Sequence, residues 1–258
     1  EDAVGYLRVV PGQICGVSPA RVRDFVLAEL KKDGLLGKQA LFARAEHHFG
    51  TGKTEFSVNL ALALARAGEK VMLADLDIVN PYFRSRERRA VLESAGVRLI
   101  TSSQDSENAD MPSLPAEILT VLEDRSYRGL LDIGGDPDGA RVLARYQPKI
   151  TAEDYQLIFV SNANRPEVRT AEDAISYLRC IEEVTGLTCG GIVNNTHLCG
   201  ETTAEEILRG AELARDISEK TGIPVLCHTA EERLIPELTA LEEPIFPITI
   251  QMKKPWER

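Results

Sequence analysis

The sequence predicts an α/β fold in which a mostly parallel sheet lies between two layers of helices. From Gln39 onward, short apolar runs alternate with longer segments whose apolar residues recur at helical spacing. This alternation is the pattern of βαβ units, and right-handed crossovers place the helices on both faces of the sheet. Polar residues follow several of the apolar runs, at the carboxyl ends of the strands, where sheets of this kind bind their ligands.

The individual elements follow from the same periodicity. Helices are predicted over 170–185 and 203–221, where apolar residues share one face. The C-terminal stretch LEEPIFPITIQMKKPW predicts an edge strand, since a sheet edge tolerates proline. The predicted strands of the main sheet are 39–45, 70–75, 97–100, 128–133, 156–161, 189–194 and 223–227.

Two segments of the chain lie outside the predicted strands and their connecting helices. Residues 1–37 contain a helix from Pro19 to Lys32, which Ser18 caps, and form a short N-terminal helical extension. The rest of the chain, 38–258, forms the main domain. Within it, the polar stretch 101–115 predicts an ordered loop or a lid.

Composition narrows the function classes. The 258 residues include 40 acidic and 30 basic side chains, and the formal net charge of −10 disfavours nucleic acid as a partner. No apolar run approaches the roughly 20 residues of a transmembrane segment, so we expect a soluble, cytoplasmic protein. The five cysteines are scattered and contain no C-x-x-C pair, which predicts reduced thiols.

The segment HHFGTGKTE predicts a phosphate-binding loop, because it follows an apolar strand and precedes a helical segment. Gly50 and Gly52 allow the backbone N–H groups to converge on phosphate oxygens at the start of that helix. Lys53 is placed to contact the β- and γ-phosphates, and the Thr54 hydroxyl to bind Mg²⁺. The first glycine of the pattern G-x-x-x-x-G-K-[ST] is missing, since His47 stands at its position.

Two other strand ends carry carboxylates. VMLADLDIVNP places Asp75 and Asp77 after one apolar run, and YRGLLDIGGDPDGA places Asp132 and Asp136 at the end of another. Carboxylates at these positions suit Mg²⁺ binding and the orientation of an attacking water. Together with Lys53, they predict a nucleotide site.

These motifs resemble those of the deviant-Walker P-loop ATPases, the MinD/ParA group. The resemblance rests on GTGKT, on the pair in DLDIVNP and on D-I-G-G-D at Asp132 to Asp136. It implies a three-layer P-loop NTPase that binds ATP or ADP with Mg²⁺. It also implies nucleotide contacts by His48, Gly50, Thr51, Gly52, Lys53, Thr54 and Glu55, metal contacts by Thr54, Asp77 and Asp132, and catalytic roles for Lys53, Asp77 and Asp136.

The resemblance also concerns the base and the partner. The family's base-recognising asparagine matches Asn194 or Asn195 in GGIVNNTH, and the absence of a guanine-specific N-K-x-D favours ATP over GTP. His48 stands where the family has a lysine that reaches the partner of a nucleotide-sandwich dimer. Arg84 and Arg86 are candidate substitutes for that lysine, with a solvated helix start as the alternative.

The function implied is that of an ATP-hydrolysing switch, with a nucleotide-dependent homodimer and an unidentified protein client. Metalloenzyme maturation and cargo positioning are the client roles considered. Two alternatives stay open: an ATP-dependent carboxylate-activating ligase of the dethiobiotin or cobyrinate amidation type, and a nucleotide-binding scaffold with negligible turnover.

Four further residues, His197, Cys199, Cys227 and His228, follow two late strands. They either line or support the base pocket or, as the less favoured alternative, form a soft metal site. A bridging iron–sulfur cluster of the nitrogenase iron protein type is excluded because no cysteine lies between Cys15 and Cys180.

Overall fold

The computed structural model describes residues 39–44, 52–76, 85–101, 117–134, 137–152, 155–165 and 168–252. The predicted extension 1–37 and nearly all of the predicted loop 101–115 lie outside these residues. The division of the chain near residue 37 therefore stays a prediction.

The described residues form one sheet of eight parallel strands. The strands are β1 Gln39–Arg44, β2 Val71–Leu76, β3 Arg98–Thr101, β4 Arg128–Ile133, β5 Tyr155–Ser161, β6 Cys189–Asn194, β7 Val225–Glu231 and β8 Ile245–Ile248. Their order across the sheet is β3-β2-β4-β1-β5-β6-β7-β8. β8 is an edge strand that contains Pro247, so the predicted C-terminal edge strand is confirmed.

Helices connect most of the strands. They are α1 Lys53–Arg66, α2 Arg89–Ser94, α3 Ile118–Glu123, α4 Pro137–Ala144, α5 Gln147–Ile150, α6 Ala171–Thr185 and α7 Ala204–Thr221. Two 3₁₀ turns cover Ser85–Arg88 and Ile235–Glu237. The predicted helices 170–185 and 203–221 are confirmed as α6 and α7.

Local sequence explains the bounds of the longest helix. Thr203 and Glu206 form a capping box at the start of α7, in which each side chain binds the other residue's backbone N–H. Gly222 ends the helix with a positive φ of 76°, a conformation that glycine adopts without a steric penalty. The apolar residues between these ends are buried against the sheet.

The sheet is covered on both faces, which confirms the predicted three-layer architecture. Along β2, Met72 and Ala74 belong to one buried cluster, while Val71 and Leu73 belong to the other. Successive side chains of a strand point to opposite faces, so these two clusters lie on opposite sides of the sheet. Both sides are packed with helices.

This topology brings the polar strand ends together. β1 lies between β4 and β5, at the point where the strand order reverses, and ligands of open α/β sheets bind at such points. Asp75 of β2 is paired in register with Asp132 of β4. The start of α1 also lies at the carboxyl ends of the strands, because α1 follows β1 in the chain.

None of the helices in the described part of the chain combines the length and the apolar character needed to cross a membrane.

Candidate functional site: the start of α1 and the ends of β4 and β6

The site is built around the N-terminus of α1, which begins at Lys53. Gly52 precedes it with a φ of 78°, in the left-handed region that favours glycine. The first N–H groups of a helix have no intrahelical partner and, together with the helix dipole, form an anion-binding site. The predicted phosphate-binding helix therefore begins where the sequence places it.

Asp132, at the end of β4, is the centre of the polar cluster beside this helix. The Thr54 hydroxyl donates a hydrogen bond of 2.7 Å to Asp132 Oδ2, and Lys53 Nζ lies 4.0 Å from Asp132 Oδ1. Lys53 is 4% exposed and Asp132 is 0% exposed. An ion pair removed from water in this way is costly to break, because loss of either partner leaves a buried charge uncompensated.

A second hydroxyl joins this cluster from the segment after β2. Ser85, which begins the 3₁₀ turn before α2, donates a hydrogen bond of 3.0 Å to the same Asp132 Oδ2. Its side chain is fully buried. The sequence analysis did not single out Ser85, since one serine in the charged run FRSRE carries no pattern that distinguishes it from a solvated turn.

The oxygen atoms of this cluster fit a magnesium ion. Asp75 is buried and lies next to Asp132 on the neighbouring strand, in direct register. Carboxylate and hydroxyl oxygens are hard ligands, and Mg²⁺ prefers such ligands over nitrogen or sulfur. The residues that would hold it are Thr54 and Asp132, with Asp75 close by.

The structure distinguishes the two asparagines that the sequence offers for base recognition. Asn195 is at the phosphate-binding loop: its Nδ2 donates to the Gly52 carbonyl at 2.9 Å, and its Oδ1 accepts from the Thr229 hydroxyl at 2.5 Å. These two bonds tie the end of β6 to β7 and to the start of α1. A nucleotide contact by Asn195 stays a prediction, and Asn195 lies directly against Gly52.

Asn194 is committed elsewhere. Its Nδ2 donates to the Ile207 carbonyl at 3.0 Å and contacts His228 Nδ1 at 3.2 Å, while its Oδ1 accepts both the N–H and the hydroxyl of Thr196. A side-chain amide has two donor hydrogens and two acceptor positions, so this side chain is fully used within the protein. A base contact by Asn194 stays a prediction, and it would have to replace one of these bonds.

His197 lies directly against Gly52. Its Nδ1 accepts the Cys199 N–H at 3.1 Å, so a neutral ring carries its proton on Nε2. Nε2 is buried and has no hydrogen-bond partner among the described residues. Burial, and secondarily the charge of Arg165, lowers the pKa of His197 to about 4, so the ring is neutral near pH 7.

Asn195 and His197 together explain why glycine stands at position 52. A Cβ atom at this position would lie 2.2 Å from Asn195 Nδ2 and 2.3 Å from His197 Nε2. Both distances are far below a normal contact. The close approach and the positive φ thus require the same residue.

The side chain of Glu55 is turned to the C-terminal segment. Its two oxygens accept the N–H groups of Gln251 and Met252 at 2.6 and 2.9 Å, and Asn59 donates to it at 3.0 Å. Burial raises the pKa of the Glu55 carboxyl above its usual range, and these hydrogen bonds oppose the shift. The predicted nucleotide contact of Glu55 is thereby limited to its backbone N–H, for which it stays a prediction.

The alternative metal site at the late strands does not form among the described residues. No group of three or more His, Cys, Asp or Glu side chains there is arranged to hold a metal ion. His228 Nε2 instead lies 3.0 Å from Glu243 Oε2, and burial raises the pKa of the Cys227 thiol to about 12. His228 and Cys227 thus have structural roles inside the fold, where His228 also contacts Asn194.

The remaining sequence-predicted residues lie outside the described part of the chain. They are His48, Gly50, Thr51, Asp77, Asp136, Arg84 and the side chain of Arg86. The residues that the structure does bring together are Gly52, Lys53, Thr54, Asp132 and Asn195.

A family comparison agrees with this geometry. The model described as the CobQ/CobB/MinD/ParA nucleotide-binding domain matches residues 45–226, well over half of the chain. The chain belongs to this family. The matched region begins just before the predicted phosphate-binding loop and ends within β7, so it contains Gly52, Lys53, Thr54, Asp132 and Asn195.

Solved structures with similar folds include the cell division protein FtsY from Thermotoga maritima, at 18% identity and a TM-score of 0.53, over 79% of this chain and 67% of that one. The signal recognition particle 54 kDa protein from Aeropyrum pernix, in complex with GDP, has 18% identity, a TM-score of 0.46, and coverage of 74% and 41%. A nucleotide-binding protein from Archaeoglobus fulgidus, in complex with ADP, has 19% identity, a TM-score of 0.43, and coverage of 86% and 93%. No curated protein matches the chain.

The similarity to FtsY from Thermotoga maritima bears on the fold alone. The family membership goes further, because the matched domain is a nucleotide-binding domain. This member of the CobQ/CobB/MinD/ParA family is thus a nucleotide-binding P-loop protein, and Lys53 and Thr54 lie at the start of its helix α1.

Proposed function

We propose that the protein is a Mg²⁺-dependent ATP-binding and ATP-hydrolysing switch of the MinD/ParA type that acts on a protein client. The observation that carries this proposal is the convergence of Lys53 and Thr54 on Asp132. A lysine, a hydroxyl and a carboxylate meet beside a helix N-terminus, and all three are buried. That set provides a cation for phosphate and hard oxygen ligands for a metal in one place.

The roles of the residues follow from their positions. The first N–H groups of α1 bind phosphate oxygens, and the Lys53 ammonium neutralises charge on the β- and γ-phosphates. Thr54 and Asp132 would provide oxygen ligands for the metal. Bound Mg²⁺ supplies charge that stabilises the phosphates during transfer.

We favour ATP over GTP as the nucleotide because of the side chains that follow Asn195. A carboxylate after the end of β6 would accept hydrogen bonds from the N–H donors on the edge of guanine. Thr196, His197 and Leu198 follow Asn195 instead, and none of them carries an acidic group. The described part of this strand end therefore lacks a guanine-selective acceptor.

Hydrolysis is proposed on the sequence motifs. Asp77 or Asp136 orients the attacking water, and Arg84 or Arg86 takes the place of the family's lysine in a nucleotide-dependent homodimer. Because His48 is shorter than lysine and mostly neutral at pH 7, we expect slow turnover without the client.

The experiment is a binding titration with fluorescent ATP and GTP analogues in the presence of Mg²⁺. We expect the wild type to bind the ATP analogue more tightly, and Lys53→Ala to lose binding by about 100-fold, as expected when a buried charge-assisted contact worth about 3 kcal/mol is removed. Lys149→Ala removes an exposed lysine that pairs with Glu123 and is the matched control. Equal binding by Lys53→Ala and the wild type would refute the assignment of the site.

A second measurement separates the switch from the carboxylate-activating ligase. Phosphate release is followed with ATP and Mg²⁺ as the only substrates. A switch ATPase hydrolyses ATP under these conditions, whereas a ligase needs its carboxylate substrate. Tight ATP binding without any release would favour the ligase or the scaffold.

A further inference from the structure

Ser85 holds a position in the site that the motifs do not account for. It lies outside the phosphate-binding loop and outside both aspartate motifs, and its side chain is fully buried. Its hydroxyl donates to Asp132 Oδ2 at 3.0 Å. A serine in a charged segment thus contacts the proposed metal-binding carboxylate. It belongs to a different segment of the chain from Thr54, which contacts the same oxygen.

The two hydroxyls together define the state of Asp132 Oδ2. Thr54 and Ser85 donate to this one oxygen, at 2.7 and 3.0 Å. A carboxylate oxygen has two lone-pair positions, so two donors occupy both of them. The plane of the carboxylate is fixed as a result, and Oδ1 is the oxygen that lies on the side of Lys53, at 4.0 Å from Nζ.

We infer that Ser85 is a positioning residue for the metal site: its hydroxyl orients the Asp132 carboxylate so that Oδ1 faces the phosphates while Thr54 keeps its bond to Oδ2. This inference rests on the proposed Mg²⁺-dependent nucleotide binding and assigns a residue to it. Groups that orient metal-binding side chains contribute strongly to metal affinity, although they do not touch the metal.

The test is a Mg²⁺ titration of ATP-analogue binding by the wild type and Ser85→Ala. We expect Ser85→Ala to raise the Mg²⁺ concentration for half-maximal binding by about 10-fold or more, the range for loss of a group that orients a ligand. Binding measured in EDTA should not change, because Ser85 contacts the carboxylate and not the nucleotide. Ser85→Thr keeps the hydroxyl and should restore the wild-type midpoint.

Ser57 provides the matched control. It is a fully buried serine on α1 whose hydroxyl donates to the Thr54 carbonyl at 3.2 Å, not to Asp132. Ser57→Ala should leave the Mg²⁺ midpoint at the wild-type value. If Ser85→Ala does not fold, Ser85→Cys replaces the hydroxyl with a weak donor of similar size and should shift the midpoint in the same direction.

The outcomes separate the inference from the function on which it rests. An unchanged midpoint for Ser85→Ala would overturn the inference, and so would an equal loss of binding with Mg²⁺ and with EDTA, since a structural role alone has that effect. A wild type that binds ATP without any Mg²⁺ dependence would also overturn it. A wild type that binds no nucleotide would defeat the proposed function itself.

Discussion

His197 makes the stability of the protein depend on pH in a way that one substitution can isolate. The ring lies against Gly52 with its Nε2 buried, and burial lowers its pKa from the usual 6.5 to about 4. Below pH 6.5 His197 binds a proton in the unfolded chain, whereas in the folded protein it stays neutral until the pH approaches 4. Stability that is present above pH 6.5 is therefore lost as the pH falls towards 4.

The magnitude follows from the two pKa values. Between pH 7 and pH 5, proton uptake by the unfolded state lowers the free energy of unfolding by roughly 2 kcal/mol, given a pKa of about 4 in the folded protein. His197→Gln has no proton to take up in this range. Its free energy of unfolding should therefore fall by about 2 kcal/mol less than that of the wild type between the two pH values.

The assay is urea denaturation followed by circular dichroism at pH 7 and pH 5. The change with pH is compared within each protein, so any packing loss in His197→Gln cancels. Leu198→Ala changes the exposed neighbouring side chain without a titrating group and should keep the wild-type pH dependence. If His197→Gln loses as much stability as the wild type on acidification, the lowered pKa of His197 in the folded protein is refuted.

Three further substitutions test the packing of the site. Gly52→Ala should lower stability by at least about 1–2 kcal/mol for the left-handed backbone alone, and should abolish ATP-analogue binding because the new Cβ displaces Asn195; normal binding would contradict the described contact. Asn195→Ala should weaken binding about 10-fold or more by freeing the Gly52 carbonyl, as measured by the same titration, and an unchanged affinity would remove Asn195 from the site. Asn59→Ala leaves the N–H and C=O of Thr249 without their side-chain partners and should lower the unfolding free energy by about 1–3 kcal/mol, so an unchanged urea midpoint would show that the C-terminal segment does not depend on α1.

Local patterns were sufficient for most of the fold. The helices α6 and α7 follow from apolar periodicity and from caps such as Thr203, and the edge strand β8 follows from its prolines. The strand order could not be predicted, since it depends on crossovers between segments far apart in the chain. The bounds of the short helices α2 and α3 could not be predicted either, because six residues cover fewer than two helical turns.

The candidate site was predictable where a motif fixes the geometry. Lys53 and Thr54 follow from the glycine loop, and Asp132 from the end of an apolar strand. Glu55 was different, because its partners Gln251 and Met252 lie almost 200 residues away. No local pattern reveals such a contact.

The same limit applies to the asparagines and to Ser85. Asn194 and Asn195 are adjacent, and successive side chains at a strand end point in opposite directions, so only the packing of α7 and β7 decides which of them meets the phosphate-binding loop. Ser85 is buried by tertiary contacts that its charged sequence neighbours do not suggest. The contacts of the two asparagines and the burial of Ser85 both arise only when the strands and helices pack together.

The central claim is that a nucleotide triphosphate is held at the start of α1. The most direct measurement is a crystal structure with Mg²⁺ and a non-hydrolysable ATP analogue. We expect the β- and γ-phosphates beside Lys53 and the metal beside Thr54 and Asp132. Phosphates bound elsewhere, or a metal held away from Asp132, would contradict it.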